Sequence, residues 1–166
     1  MTTAIYRSVR LTLCIFLCCV AWGRLNQMAE RTQDLQIERA NWEKNAAAAA
    51  AWLASPEAKP GAVALQDIGY IGWVTDRTII DTVGLVDRDV SHLLGGYGTK
   101  TQGLSDRVFD RAPAYVVLAS SAGDCLHTFH PTDDAVYADP RLQERYRVAK
   151  QIGLGFGVSW CIWEAK

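Results

Sequence analysis

The sequence predicts a small α/β domain: a mixed, mainly parallel sheet with flanking helices, preceded by an N-terminal membrane-anchor helix and a long helix. Three observations lead there. An apolar run bounded by arginines lies near the N-terminus, Leu25 to Ala54 contains neither proline nor glycine, and short apolar strands then alternate with helical segments and turns. At 166 residues, with 49% hydrophobic and 21% charged residues, the chain can bury the core of one domain. The net charge of −1 comes without a basic stripe, which excludes the usual nucleic-acid binding classes.

Arg7 and Arg10 precede the run Leu11 to Gly23, and Arg24 closes it. As a helix the run covers about 20 Å of a roughly 30 Å hydrocarbon core. That length also suits the apolar region of a cleaved signal peptide, and a buried soluble helix is a third reading. The anchor is favoured because Arg10 and Arg24 can reach back to the interface, while Leu25 and Met28 extend the apolar face. The organisation expected is therefore an anchor over residues 1–24 and an extracytoplasmic domain over 25–166. The basic flank sets Met1 in the cytoplasm. The expected location is the bacterial inner membrane, single-pass, with the C-terminal domain in the periplasm and residues 11–23 in the bilayer.

Leu35, Trp42, Ala46, Ala49 and Leu53 recur at helical spacing, and Ser55-Pro56 ends that helix. The alanines at 46–51 give it a slim profile on which another element can pack closely. Ala62 to Gln66 reads as a strand, Asp67 as the N-cap of a helix over Ile68 to Thr75, and Thr78 to Val83 as a second, parallel strand. Asp87 or Asp89 starts a further helix, Gly95 to Gly103 is a loop, and Ala114 to Ala119 is a core strand. Asp139-Pro140 opens a helix running to about Lys150. Large apolar residues at 152, 154, 156, 158, 160 and 162 alternate with small ones, predicting one closing strand with a bare face against which a helix or the alanines pack.

The stretch Val63 to Asp87, with Asp67-Ile68-Gly69 and Asp81-Thr82-Val83-Gly84-Leu85, resembles the outer C-terminal domain of GT-C-type polytopic membrane glycosyltransferases. Pro113, Tyr115 to Val117, Tyr146 and a closing strand extend the likeness over about residues 25–166. The resemblance implies a last membrane helix running into a long helix, then strand, short helix and strand. Such enzymes act from a bundle of many membrane helices with acidic residues in an early outer loop. The sequence has neither, so the resemblance implies fold and topology without catalysis.

Asp67, Asp81 and Asp87 are the candidate ligand carboxylates, at strand ends where open α/β sheets bind ligands. Tyr70 and Trp73 are candidate stacking aromatics. The alternatives are a cap for Asp67 and a partner for an arginine or backbone amides for Asp81. His127, His130, Asp133 and Asp134 look metal-like, but two histidines three apart on a strand face opposite ways, so no metal is predicted. No Cys-x-x-Cys pairs and no cofactor motif are present. Cys125 and Cys161 either form a disulfide or remain buried thiols.

The function expected is that of a non-catalytic accessory subunit docked on the outer side of an integral membrane complex, of bioenergetic or envelope-glycan machinery. The alternative is a glycan-binding module assisting a membrane glycosyltransferase.

Overall fold

The computed structural model describes residues 2–128, 130–155 and 158–166, with no side-chain description for 2–15, Glu38, Trp42, Leu154 and Gly155. The side chains of Arg7, Arg10, the first part of the apolar run, Trp42 and the 154–155 part of the closing pattern are therefore not described, and residues 156–157 of that pattern lie outside the described residues. The chain divides into two units, Met1–Ala40 and Asn41–Lys166.

Helix α1 runs Thr2–Leu53, so the expected anchor and long helix are one element. In the first unit Phe16, Leu17, Val20, Trp22, Leu25 and Met28 are all exposed. Among the described residues no helix is long and apolar enough to cross a membrane.

The second unit is a mixed α/β domain with a five-stranded sheet. Its strands are β1 (Val63–Leu65), β2 (Ile79–Asp81), β3 (Tyr115–Ser120), β4 (Tyr146–Gly155) and β5 (Val158–Ala165). The helices after α1 are α2 (Ile68–Thr75), α3 (Arg88–Ser91), α4 (Leu104–Phe109), α5 (Pro131–Tyr137) and α6 (Pro140–Arg145). Strand order is β2-β1-β3-β5-β4. β1 pairs in parallel with β2 and β3, while β5 pairs antiparallel with β3 and β4. The sheet is thus half parallel and half antiparallel, correcting the mainly parallel expectation.

The correction comes from the C-terminus. The alternating pattern read as one strand is two: β4 ends at Gly155, β5 begins at Val158, and those two residues pair. Alternation has a period of two on both arms of a hairpin, so it carries no mark of where the chain reverses. For the same reason the helix expected to reach Lys150 stops at Arg145. Residues from Tyr146 instead supply the ladder that β5 needs, and the Tyr146 hydroxyl donates to the Pro113 carbonyl at 2.9 Å.

Both faces of the sheet are covered, which explains why the central strands are apolar without alternation. On one face Val63, Leu65, Tyr115, Val117, Trp160 and Ile162 pack with Ala46, Ala49, Ala50 and Leu53 of α1 and Ile71 of α2. On the other, Ala64, Val116, Leu118, Cys161 and Trp163 pack with residues of α3 to α6. The alanines therefore lie against the large residues of β5, not against its small ones. Ala46, Ala49 and Ala50 are small enough to admit Trp160 and Tyr115 beneath the helix.

α1 ends under Arg77. Its Nε and Nη2 donate to the Leu53 carbonyl at 3.0 and 2.6 Å, and its Nη1 donates to the carbonyls of Lys59 and Gly61. One guanidinium thereby satisfies an orphan carbonyl at the helix end and fixes the turn into β1. Cys125, in the loop after β3, is joined by a disulfide to Cys161 at the centre of β5.

Candidate functional site

The carboxyl ends of the parallel strands β1 and β3 lie side by side. β1 leads through α2 to β2 on one side of it. β2 leads back through α3 and α4 to β3 on the other side. α2 packs on the α1 face of the sheet, and α3 and α4 pack on the opposite face. The β1/β3 junction is therefore the point where the winding reverses, the place at which open α/β sheets form a crevice.

A small cavity of about 10 Å³ occupies that crevice, with Gln66, Asp67, Ala119, Asp133 and Trp160 among its walls. Asp67 follows β1. It was expected to cap α2, yet its side chain makes no cap bond. The carboxylate instead takes a hydrogen bond from the Trp160 side chain. Burial pushes its pKa up, while that bond and the nearby His130 pull it back.

Asp133 is 1% exposed and stands at the third position of α5. Its Oδ2 accepts the Ala119 amide at 3.0 Å, which seats the helix on the end of β3. Among the described residues its Oδ1 has no hydrogen-bond partner. Burial first, then the charges of Asp67 and Asp134, push its pKa up to about 7, against the pull of the Ala119 amide. Beside it the Thr132 hydroxyl donates to Gln66 Oε1 at 3.3 Å, a second link from α5 to the end of β1. A buried carboxylic acid beside a half-buried carboxylate can hold or release a proton near neutrality. The cavity has no room for an organic substrate.

The three aspartates expected together are not one cluster. Asp81 is wholly buried and spent on the backbone: Oδ1 accepts the amides of Val83 and Gly84 at 3.0 Å each, and Oδ2 accepts that of Val86 at 2.7 Å. This also explains the glycine of the Asp-x-x-Gly-Leu stretch. Gly84 has φ +79, and a Cβ there would lie 2.7 Å from the Ser91 nitrogen. Asp87 caps α3, accepting the amides of Asp89 and Val90, and pairs with Arg111. Burial raises its pKa, but the Arg111 bond and the cap amides outweigh that and hold it below the usual carboxylate value. Of the three, Asp67 is the one that lines this cavity.

The partner of Asp67, Asp133, was hidden in the metal-like run. No group of three metal-ligating residues occurs among the described residues, and His127 pairs with Asp124. Pro131 at the first helical position was the available signal. It starts a helix on which Asp133 lies three residues before the buried Val136, on the inward face.

Tyr70 and Trp73 sit on α2, 43% and 87% exposed, with Val74 beside them at 43%. Spacings of three and four set these side chains on one face of the helix. Leu85 and Val86, after β2, are also exposed.

A family model described as "Domain of unknown function (DUF8728)" matches residues 29–163. No curated protein and no solved structure matches the chain.

Proposed function

The chain belongs to the DUF8728 domain family, and from that premise we propose that it is a membrane-anchored, non-catalytic accessory subunit that docks on the outer side of a larger membrane protein complex. The observation that carries the proposal is the outward face of α2, where Tyr70, Trp73 and Val74 are presented to solvent. Large aromatics on one exposed face mark interaction surfaces, because burying them against a partner releases much ordered water for little lost side-chain freedom. In this reading the exposed apolar residues from Phe16 to Met28 meet lipid or neighbouring membrane helices. The Cys125–Cys161 disulfide supports an oxidising, periplasmic location. The resemblance to the outer domain of GT-C glycosyltransferases supports the same topology.

The test is purification of the full chain from its native membranes in mild detergent. A stable complex is expected, and Trp73→Ala should dissolve it while shifting unfolding by no more than about 0.5 kcal/mol, as exposed substitutions do. A native chain that runs alone would overturn the reading. The exposed rings of Tyr70 and Trp73 also suit stacking on sugars, so a chain that runs alone but binds an envelope glycan, less tightly after Trp73→Ala, would favour the glycan-binding alternative.

A further inference from the structure

The crevice between β1 and β3 contains an imbalance of acceptors. Asp133 Oδ1 is buried with no partner among the described residues, in a wall it shares with Asp67 and Gln66. The Gln66 Oε1 is already engaged by Thr132 and the Asp67 carboxylate by Trp160. An unsatisfied buried carboxylate oxygen is destabilising, and two ionised carboxylates facing one small cavity repel each other. The cavity volume, about 10 Å³, is that of a single water position.

One proton and one water remove both costs. A protonated Asp133 donates through Oδ1 to the water, and the water donates to the Asp67 carboxylate. We propose that Asp67 and Asp133 hold one proton between them across a single buried water, making the β1/β3 crevice a proton-binding site.

The surrounding groups decide which carboxyl keeps the proton. Asp134, on α5 itself, adds a second negative charge near Asp133, whereas His130 at the N-cap of α5 favours charge on Asp67. The strands contribute only uncharged walls: Leu65 from β1, Val117 and Ala119 from β3, Trp160 from β5. Asp133 is 1% exposed, while Asp67 is only half-buried. The acid is therefore Asp133 and the carboxylate Asp67. Both titrate as one coupled pair, whose upper step lies near neutrality.

Release of that proton puts a second charge into the crevice at the point where α5 is fastened to β3.

The experiment is a side-chain carboxyl ¹³C titration of the full chain by NMR, with a high-resolution crystal structure near neutral pH. Asp133 is expected to titrate at about 7. Asp67→Asn, which removes the neighbouring charge, should lower that midpoint by about one pH unit or more. One water is expected within hydrogen-bond distance of Asp133 Oδ1. A midpoint in the ordinary carboxylate range, a midpoint unmoved by Asp67→Asn, or a dry cavity would each overturn the proposal. The wild-type titration and the crystal structure decide it even where the variant fails to fold.

Discussion

Reduction of the Cys125–Cys161 bridge is the perturbation whose size follows most directly from the structure. The two cysteines are 36 residues apart in sequence. Closing a loop of that length in the unfolded chain removes about 13 cal/mol/K of entropy, or about 4 kcal/mol at 25 °C. A domain of this size has roughly 5–15 kcal/mol of stability in all. Loss of the bridge therefore consumes a large share of it and lowers Tm by roughly 10–20 °C. The packing around the bridge adds to this, because Cys161 is 1% exposed in the centre of β5 and pairs across the sheet with Leu118. The assay is urea unfolding followed by tryptophan fluorescence, run with and without reductant, on the wild type and on Cys125→Ser. Trp160 and Trp163, two of the six tryptophans, lie on the strand that carries the bridge and contribute to the signal. The wild type should lose stability on reduction and approach Cys125→Ser, which itself should not respond. Equal midpoints with and without reductant would refute the reasoning, since the cysteines would then be two buried thiols.

Arg77→Ala should cost about 2–3 kcal/mol, because the carbonyls of Leu53, Lys59 and Gly61 lose their donor together. Arg77→Lys should recover only part of that, lacking the guanidinium fork, and thermal unfolding of both variants checks it. Asp81→Ala strips three backbone amides of their acceptor and should cost about 3 kcal/mol, with Asp81→Asn milder, read by denaturant midpoints. For Asp133 the sign runs downward with pH. Its folded pKa, about 7, lies above the unfolded value of 3.8, so the native state holds the extra proton between those two pH values. Stability should therefore fall as pH rises from about 4 to about 7. Asp133→Asn should match the wild type near pH 4 and exceed it at pH 8 by at most about 4 kcal/mol. Denaturant unfolding at the two pH values measures the difference.

The first half of the sheet was legible because local rules agree there. Ala62 to Gln66, Ile68 to Thr75 and Thr78 to Val83 each carry one pattern bounded by turn residues, and β1, α2 and β2 fall inside them. Capping chemistry left Asp87 and Asp89 open as the start of α3, and the structure gives Asp87. The C-terminal half was misread where two structures share one pattern, as β4 and β5 do. α4 and α5 are short helices without a sequence signature at the cap, since neither Gly103 nor His130 carries a capping hydroxyl, carboxylate or amide.

For the site, residue type was legible and partnership was not. Asp67, Asp81 and Asp87 look alike in the chain, but burial and nearby amides assign them different work. Asp81 faces three backbone donors, Asp87 an arginine and a helix start, Asp67 a second carboxyl contributed from a segment far along the sequence.

By itself, then, the sequence determined the long helix, the parallel β1-α2-β2 unit, the exposed aromatics of α2 and the cysteines able to pair. Those depend on propensity, periodicity and turn chemistry, which act over a few residues. Only the tertiary structure decided the reversal between β4 and β5, the seat of the alanines on Trp160 and Ile162, and the meeting of Asp67 with Asp133. Those depend on which faces close on one another, and burial of that kind is set by packing across the whole sheet.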